Sequence, residues 1–211
     1  MKTVYLFLIL LIVSSCTKDQ IQYKLIGTFK NEITNSNISQ VKLKFYQTEV
    51  NSNVLNPNFV YLGTTTTNSN GEYSFSFDRQ NIDKFKITIE HPEFYENEIV
   101  YSSAVLSSEN ENVFNYELES KSWIKIRLKN NFAQEGEILN FHKYNVKEGC
   151  ETCCVSGNLA VPYTIPDTTF VCAVVGDVYF KYTYGVTPQN SSTTDSVLCT
   201  QFDTTSIFIQ Y

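Results

Sequence analysis

Basic residues are few in this 211-residue chain. Sixteen Lys and Arg stand against 22 Asp and Glu, a formal net charge of −6. A nucleic-acid binder needs a basic stripe, and this balance argues against one. Long apolar runs are short as well: Val4 through Val13 gives ten residues, about half of the roughly 20 that a helix needs to cross a bilayer core. Histidine occurs twice, and neither a glycine-rich phosphate loop nor an H-E-x-x-H sequence is present, which leaves little for phosphoryl transfer or zinc hydrolysis. With one Met, five Pro and eight Gly beside abundant Thr, Val, Tyr and Phe, the composition points to strands rather than helix bundles. What is present is apolar bulk. Apolar residues make up 42% of the chain, including 14 Tyr and 15 Phe, too many for a disordered polymer. The remaining polarity comes largely from Asn, Ser and Thr, because charged residues are only 18%. The length suits one large or two small domains.

From Tyr23 onward the apolar period is two. Val41, Leu43 and Phe45 alternate with Lys42, Lys44 and Tyr46; Tyr73, Phe75 and Phe77 with Ser74, Ser76 and Asp78; Phe85, Ile87 and Ile89 with Lys86, Thr88 and Glu90. Phe114, Tyr116 and Leu118 continue the pattern, and it restarts at Trp123, where Ile124, Ile126 and Leu128 oppose Lys125, Arg127 and Lys129. Alternation of this kind places one strand face on a core and the other in water. Further strands are expected near residues 137–144, 168–175, 178–184, 195–201 and 204–211, with no 12-residue stretch of helical spacing after the start. The sequence predicts an all-β chain of two tandem antiparallel β-sandwiches, residues 23–119 and 120–211. A single larger sandwich is the competing reading.

The first segment reads as an address. Lys2, the apolar run and the small residues Ser14 and Ser15 form a secretory signal. Val13-Ser14-Ser15-Cys16 resembles the lipobox of bacterial lipoproteins, with Val13 where Leu is usual and Ser15 where Gly or Ala is. The resemblance implies cleavage after residue 15 and a diacylglyceryl group on Cys16. Two acyl chains exceed the anchoring threshold that a single chain barely reaches. Residues 16–22 then hold the lipidated cysteine and a polar tether, reaching at most about 20 Å. Thr17 rather than Asp follows the cysteine, so the resemblance implies outer-membrane residence, either periplasmic or surface-exposed.

Thr67-Asn68-Ser69-Asn70-Gly71-Glu72-Tyr73-Ser74-Phe75 resembles the central hairpin of the carboxypeptidase regulatory-like (prealbumin-like) domains. Leu25 to Phe29 resembles their opening strand, Ile38 to Leu43 their second, and His91-Pro92-Glu93-Phe94-Tyr95 the element after the fifth. Asn68 replaces the usual Asp, and Gln40 replaces a turn Gly. Gly71 suits a tight turn needing positive φ.

Five cysteines follow Cys16: Cys150, Cys153, Cys154, Cys172 and Cys199. A four-sulfur zinc site is one reading of them. Disulfides are favoured, because an exported protein sits in an oxidising compartment and Cys172 and Cys199 are single. Two bonds and one spare thiol are expected. Cys153 and Cys154 reach different partners, and the loop is stapled to Cys172 and Cys199. His91 and His142 lack a supporting nucleophile. Glu90, Glu93, Glu96 and Glu98 form an acidic run that is either a calcium wall or a solvated turn. Trp123, Tyr179, Tyr182 and Tyr184 are candidates for stacking on sugar rings, against the plainer role of strand partners. No catalytic residue, metal or cofactor is expected. The reading is a lipid-anchored, non-enzymatic binding or scaffolding protein of the envelope. Its partner is an envelope protein or a glycan, and the alternative role is glycan capture for a surface uptake system.

Overall fold

The computed structural model describes residues 21–51, 54–131, 134–189 and 191–211. The apolar run, the lipobox and Cys16 lie outside them. Fifteen strands and one short 3-10 turn at Ser103–Val105 make up the regular structure of the described residues, so the chain is all-β.

The first half pairs two sheets. One carries β1 (Gln22–Asn31) between β4 (Glu72–Asp78) and β7 (Asn112–Val113), with β8 (Tyr116–Leu118) also on β1. The other runs β3 (Val54–Thr66), β2 (Lys42–Asn51), β5 (Ile82–Glu90), β6 (Asn97–Ser102). Alternation along each strand determines what fills the space between them: Leu25, Phe29, Leu43, Phe45, Phe85, Ile87 and Ile89 are all essentially inaccessible to solvent. Complete burial of one such side chain is worth about 1.5–3 kcal/mol, so this layer is the main source of cohesion in the half. The second half repeats the plan. One sheet is β11 (Gly157–Pro162), β10 (Ile138–Tyr144), β13 (Val178–Thr187), β14 (Ser192–Cys199), and the other is β12 (Asp167–Val175), β9 (Lys121–Lys129), β15 (Thr204–Gln210). Ile124, Ile126, Leu128, Leu139 and Phe141 fill its interior as a cluster separate from the first. The molecule is therefore two β-sandwiches in tandem.

Most pairings are antiparallel, but β1–β7, β1–β8 and β9–β15 are parallel. A two-residue hairpin joins only antiparallel neighbours, and these pairs are reached by long excursions. β3 contains Pro57 and pairs only with β2, as suits a residue with no amide to donate. Two register shifts interrupt that pairing.

Gly71 turns the β3–β4 connection at φ +73°, and an added Cβ would come within 2.7 Å of the Phe29 carbonyl oxygen. Asn68 does the work of the expected Asp, its Oδ1 accepting from the amides of Asn70 and Glu72 at 2.9 Å each. Thr67 is buried beside it. Its hydroxyl accepts from Val41 N–H and donates to the Ile38 carbonyl, both at 2.9 Å. Gln40 adopts φ +60°, so the turn conformation persists without glycine.

Candidate functional site

The two sandwiches meet at a dense junction. The Phe94-Tyr95 element that follows β5 packs against the turn between β14 and β15, where Phe94 and Phe202 stand edge to face at 5.4 Å. Tyr95 N–H donates to the Glu119 carbonyl, Lys121 N–H to Glu93, and Phe202 N–H to Lys121. Asn31 Nδ2 donates to Gln201 Oε1 at 3.0 Å, and its own Oδ1 accepts from Ile33 and Thr34. The ammonium groups of Lys121 and Lys147 lie 5.9 and 5.3 Å from the Tyr95 ring centroid, and Lys147 also pairs with Glu119. Burial pushes the Tyr95 phenol up to about 12.

The cysteines form a staple at the edge of the second sandwich. Cys150 bonds Cys153, and Cys154 bonds Cys172, so the adjacent pair does divide between partners. Backbone bonds from Cys154 N–H to Ala173 and from Ala173 N–H to Thr152 lay the loop along β12. The expected link from this loop to Cys199 is not made. Cys199 ends β14, which lies at the opposite edge of its sheet from β11. It is fully buried as a free thiol, and burial raises its pKa.

The four aromatic candidates are not brought to one surface. Tyr182 and Tyr184 follow Phe180 on the inner side of β13, where Tyr182 is 6% exposed and stacks on Phe141 at 5.4 Å. Tyr179 points the other way and is well exposed, whereas Trp123 stands half-buried on β9 of the facing sheet. Parity along the strand gives the reason, since residues two apart share a face. The acidic run divides as well: Glu90 pairs with Lys44 and Glu98 with Lys86. His91 Nδ1 accepts from Glu93 N–H, and burial lowers the imidazole pKa. His142 packs edge to face on Tyr144. The two histidines lie in different sandwiches.

Sequence reasoning passed over two features. Tyr46 and Tyr61 meet edge to face at 5.5 Å on the outer side of β2 and β3, with Tyr61 54% exposed. Lys143 is the second: it continues the inward series Leu139, Phe141 and is buried despite its charge. The period-two pattern carried that signal.

No family model matches the chain, and no curated protein sequence matches it. Among solved structures, the Bacillus anthracis TIE protein aligns at 10% identity and a TM-score of 0.39, covering 90% of this chain and 34% of that one. A shaft pilin from Lactobacillus rhamnosus GG aligns at 7% identity and 0.37, covering 90% and 97%. The minor pilin of Streptococcus agalactiae aligns at 10% identity and 0.35, covering 89% and 94%. The chain thus spans about a third of the first protein and nearly all of the other two. Likeness at this level assigns neither a family nor an activity.

Proposed function

We propose that the protein is a lipid-anchored, non-enzymatic binding or scaffolding protein of the outer membrane. The observation that carries this reading is positional: β1 begins at Gln22, six residues after the lipobox cysteine. Six residues span at most about 20 Å, so a diacylated Cys16 would hold the first sandwich close to the lipid. The interlocked junction supports a second module held in a defined relation to the first, as a spacer or assembly surface requires. Residues 23–119 form a prealbumin-like unit in this reading. Its support is the Asn68–Gly71 turn, in which Asn68 supplies the acceptor that the family's Asp supplies. A glycan-binding role is the second reading. The pair of half-buried Tyr46 and exposed Tyr61, with Lys86 over the Tyr46 ring, favours it, because aromatic faces flanked by polar groups suit sugar rings.

A glycan array and an affinity pull-down of envelope proteins, both run with the mature protein, test the two. Recovery of a protein partner with a blank array supports scaffolding. Sugar binding lost in Tyr61→Ala supports glycan capture. Turnover of a substrate that disappears on replacing His91 or His142 would overturn the non-enzymatic reading.

A further inference from the structure

A cleft opens between the two sheets of the second sandwich, at the side where β11 and β12 form their edges. Its volume is about 440 Å³, within the roughly 300–1,000 Å³ typical of small-molecule sites. Val155, Leu159, Val161, Ile165 and Phe170 give it an apolar wall. The Cys154–Cys172 disulfide fastens the loop that borders it to β12. Val155 and Ile165 remain 78% and 43% exposed, so apolar surface at the mouth is left uncovered.

Lys143 is set into this wall at 8% exposure. Its ammonium lies 5.7 Å from the Phe170 ring centroid, and no carboxylate among the described residues pairs with it. Burial lowers its pKa, because the charged form loses part of its hydration there. A partly desolvated cation with no acid beside it is costly, and an anion entering the cleft would offset that cost. Thr168 lines the same cleft and offers a hydroxyl donor there. We propose that the cleft binds a small amphiphilic carboxylate, with the acyl chain along Leu159, Val161 and Phe170 and the carboxylate on Lys143 Nζ. This site is independent of the anchor and of any scaffolding partner.

Titration calorimetry on the disulfide-bonded protein tests it, with decanoate, 1-decanol and decyltrimethylammonium below their micelle concentrations. Decanoate should bind about tenfold or more tighter than 1-decanol, and the cation should not bind. Lys143→Met should reduce decanoate to the level of the alcohol. Leu159→Trp should fill the cleft and abolish both while leaving the melting transition intact. If Lys143→Met does not fold, the wild-type comparison of carboxylate with alcohol and the Leu159→Trp result decide together. Equal affinity for decanoate and decanol, decanoate binding that survives Leu159→Trp, or no binding at all would overturn the proposal. Preference for the terminal carboxylate of acetyl-Gly-Gly-Leu over decanoate would overturn it too, since the occupant would then be a peptide.

Discussion

Replacing Thr67 by Val isolates a single polar link in the first sandwich. The side chain is 4% exposed, and its hydroxyl holds both the Val41 amide and the Ile38 carbonyl at 2.9 Å. Valine keeps the shape and removes both bonds, leaving a buried donor and a buried acceptor unpaired. Each such group costs about 1–3 kcal/mol, so a loss of roughly 2–4 kcal/mol is expected after partial relaxation. For a domain of 60–100 residues that corresponds to a fall of about 10–20 °C in melting temperature. Thr67→Ser provides the contrast: it keeps the hydroxyl and deletes one methyl, worth about 0.8 kcal/mol. Calorimetry on residues 21–119 and on the whole protein should therefore rank wild type above Ser and Ser well above Val. In the whole protein, any separate transition of the second sandwich should stay in place. Valine melting within about 2 °C of wild type, or Ser falling below Val, would show that packing rather than hydrogen bonding secures this strand.

Other outcomes follow from the same geometry. Gln40→Gly should raise stability by about 0.5–1 kcal/mol in urea unfolding, because Gln40 sits at φ +60° where a Cβ is strained. Removing the Cys154–Cys172 bond by a double change to Ala should cost about 3 kcal/mol for a loop of this length. In the wild type, Cys199 should be alkylated only after denaturation, which mass spectrometry of labelled protein reads directly. His91 has a folded-state pKa below its ordinary value of 6.5 because burial disfavours the imidazolium. The unfolded chain therefore binds more protons than the folded one in that window. Its contribution is intact above pH 6.5 and is lost as the pH falls through the folded-state value, and His91→Asn should flatten that part of the pH–stability curve.

The core was legible because its signal is local. Leu43, Phe45, Phe85, Ile87, Ile124, Ile126 and Leu128 sit inside, as period-two alternation requires. β3 escaped detection because an edge strand exposed along most of its length, with Pro57 in it, shows no clean alternation. Parallel partners such as β15 on β9 leave no mark in the sequence, since pairing direction does not alter the period. The disulfide connectivity depended on which sheet edge each cysteine reaches, a long-range fact. Cys199 looked like a partner for the loop, yet it lies at the edge of its sheet away from β11. The β13 tyrosines could have been sorted from the start: Phe180 marks the inner face, and Tyr182 and Tyr184 share its parity.

Anchoring at Cys16 is the claim on which the envelope role rests. The most direct measurement is metabolic labelling of the native protein and its Cys16→Ala variant with a radioactive or clickable palmitate, followed by membrane fractionation. The account predicts a labelled wild type in the outer-membrane fraction and a Cys16→Ala variant that takes up no label and leaves that fraction. Equal labelling of both proteins, or an unlabelled wild type, would contradict it.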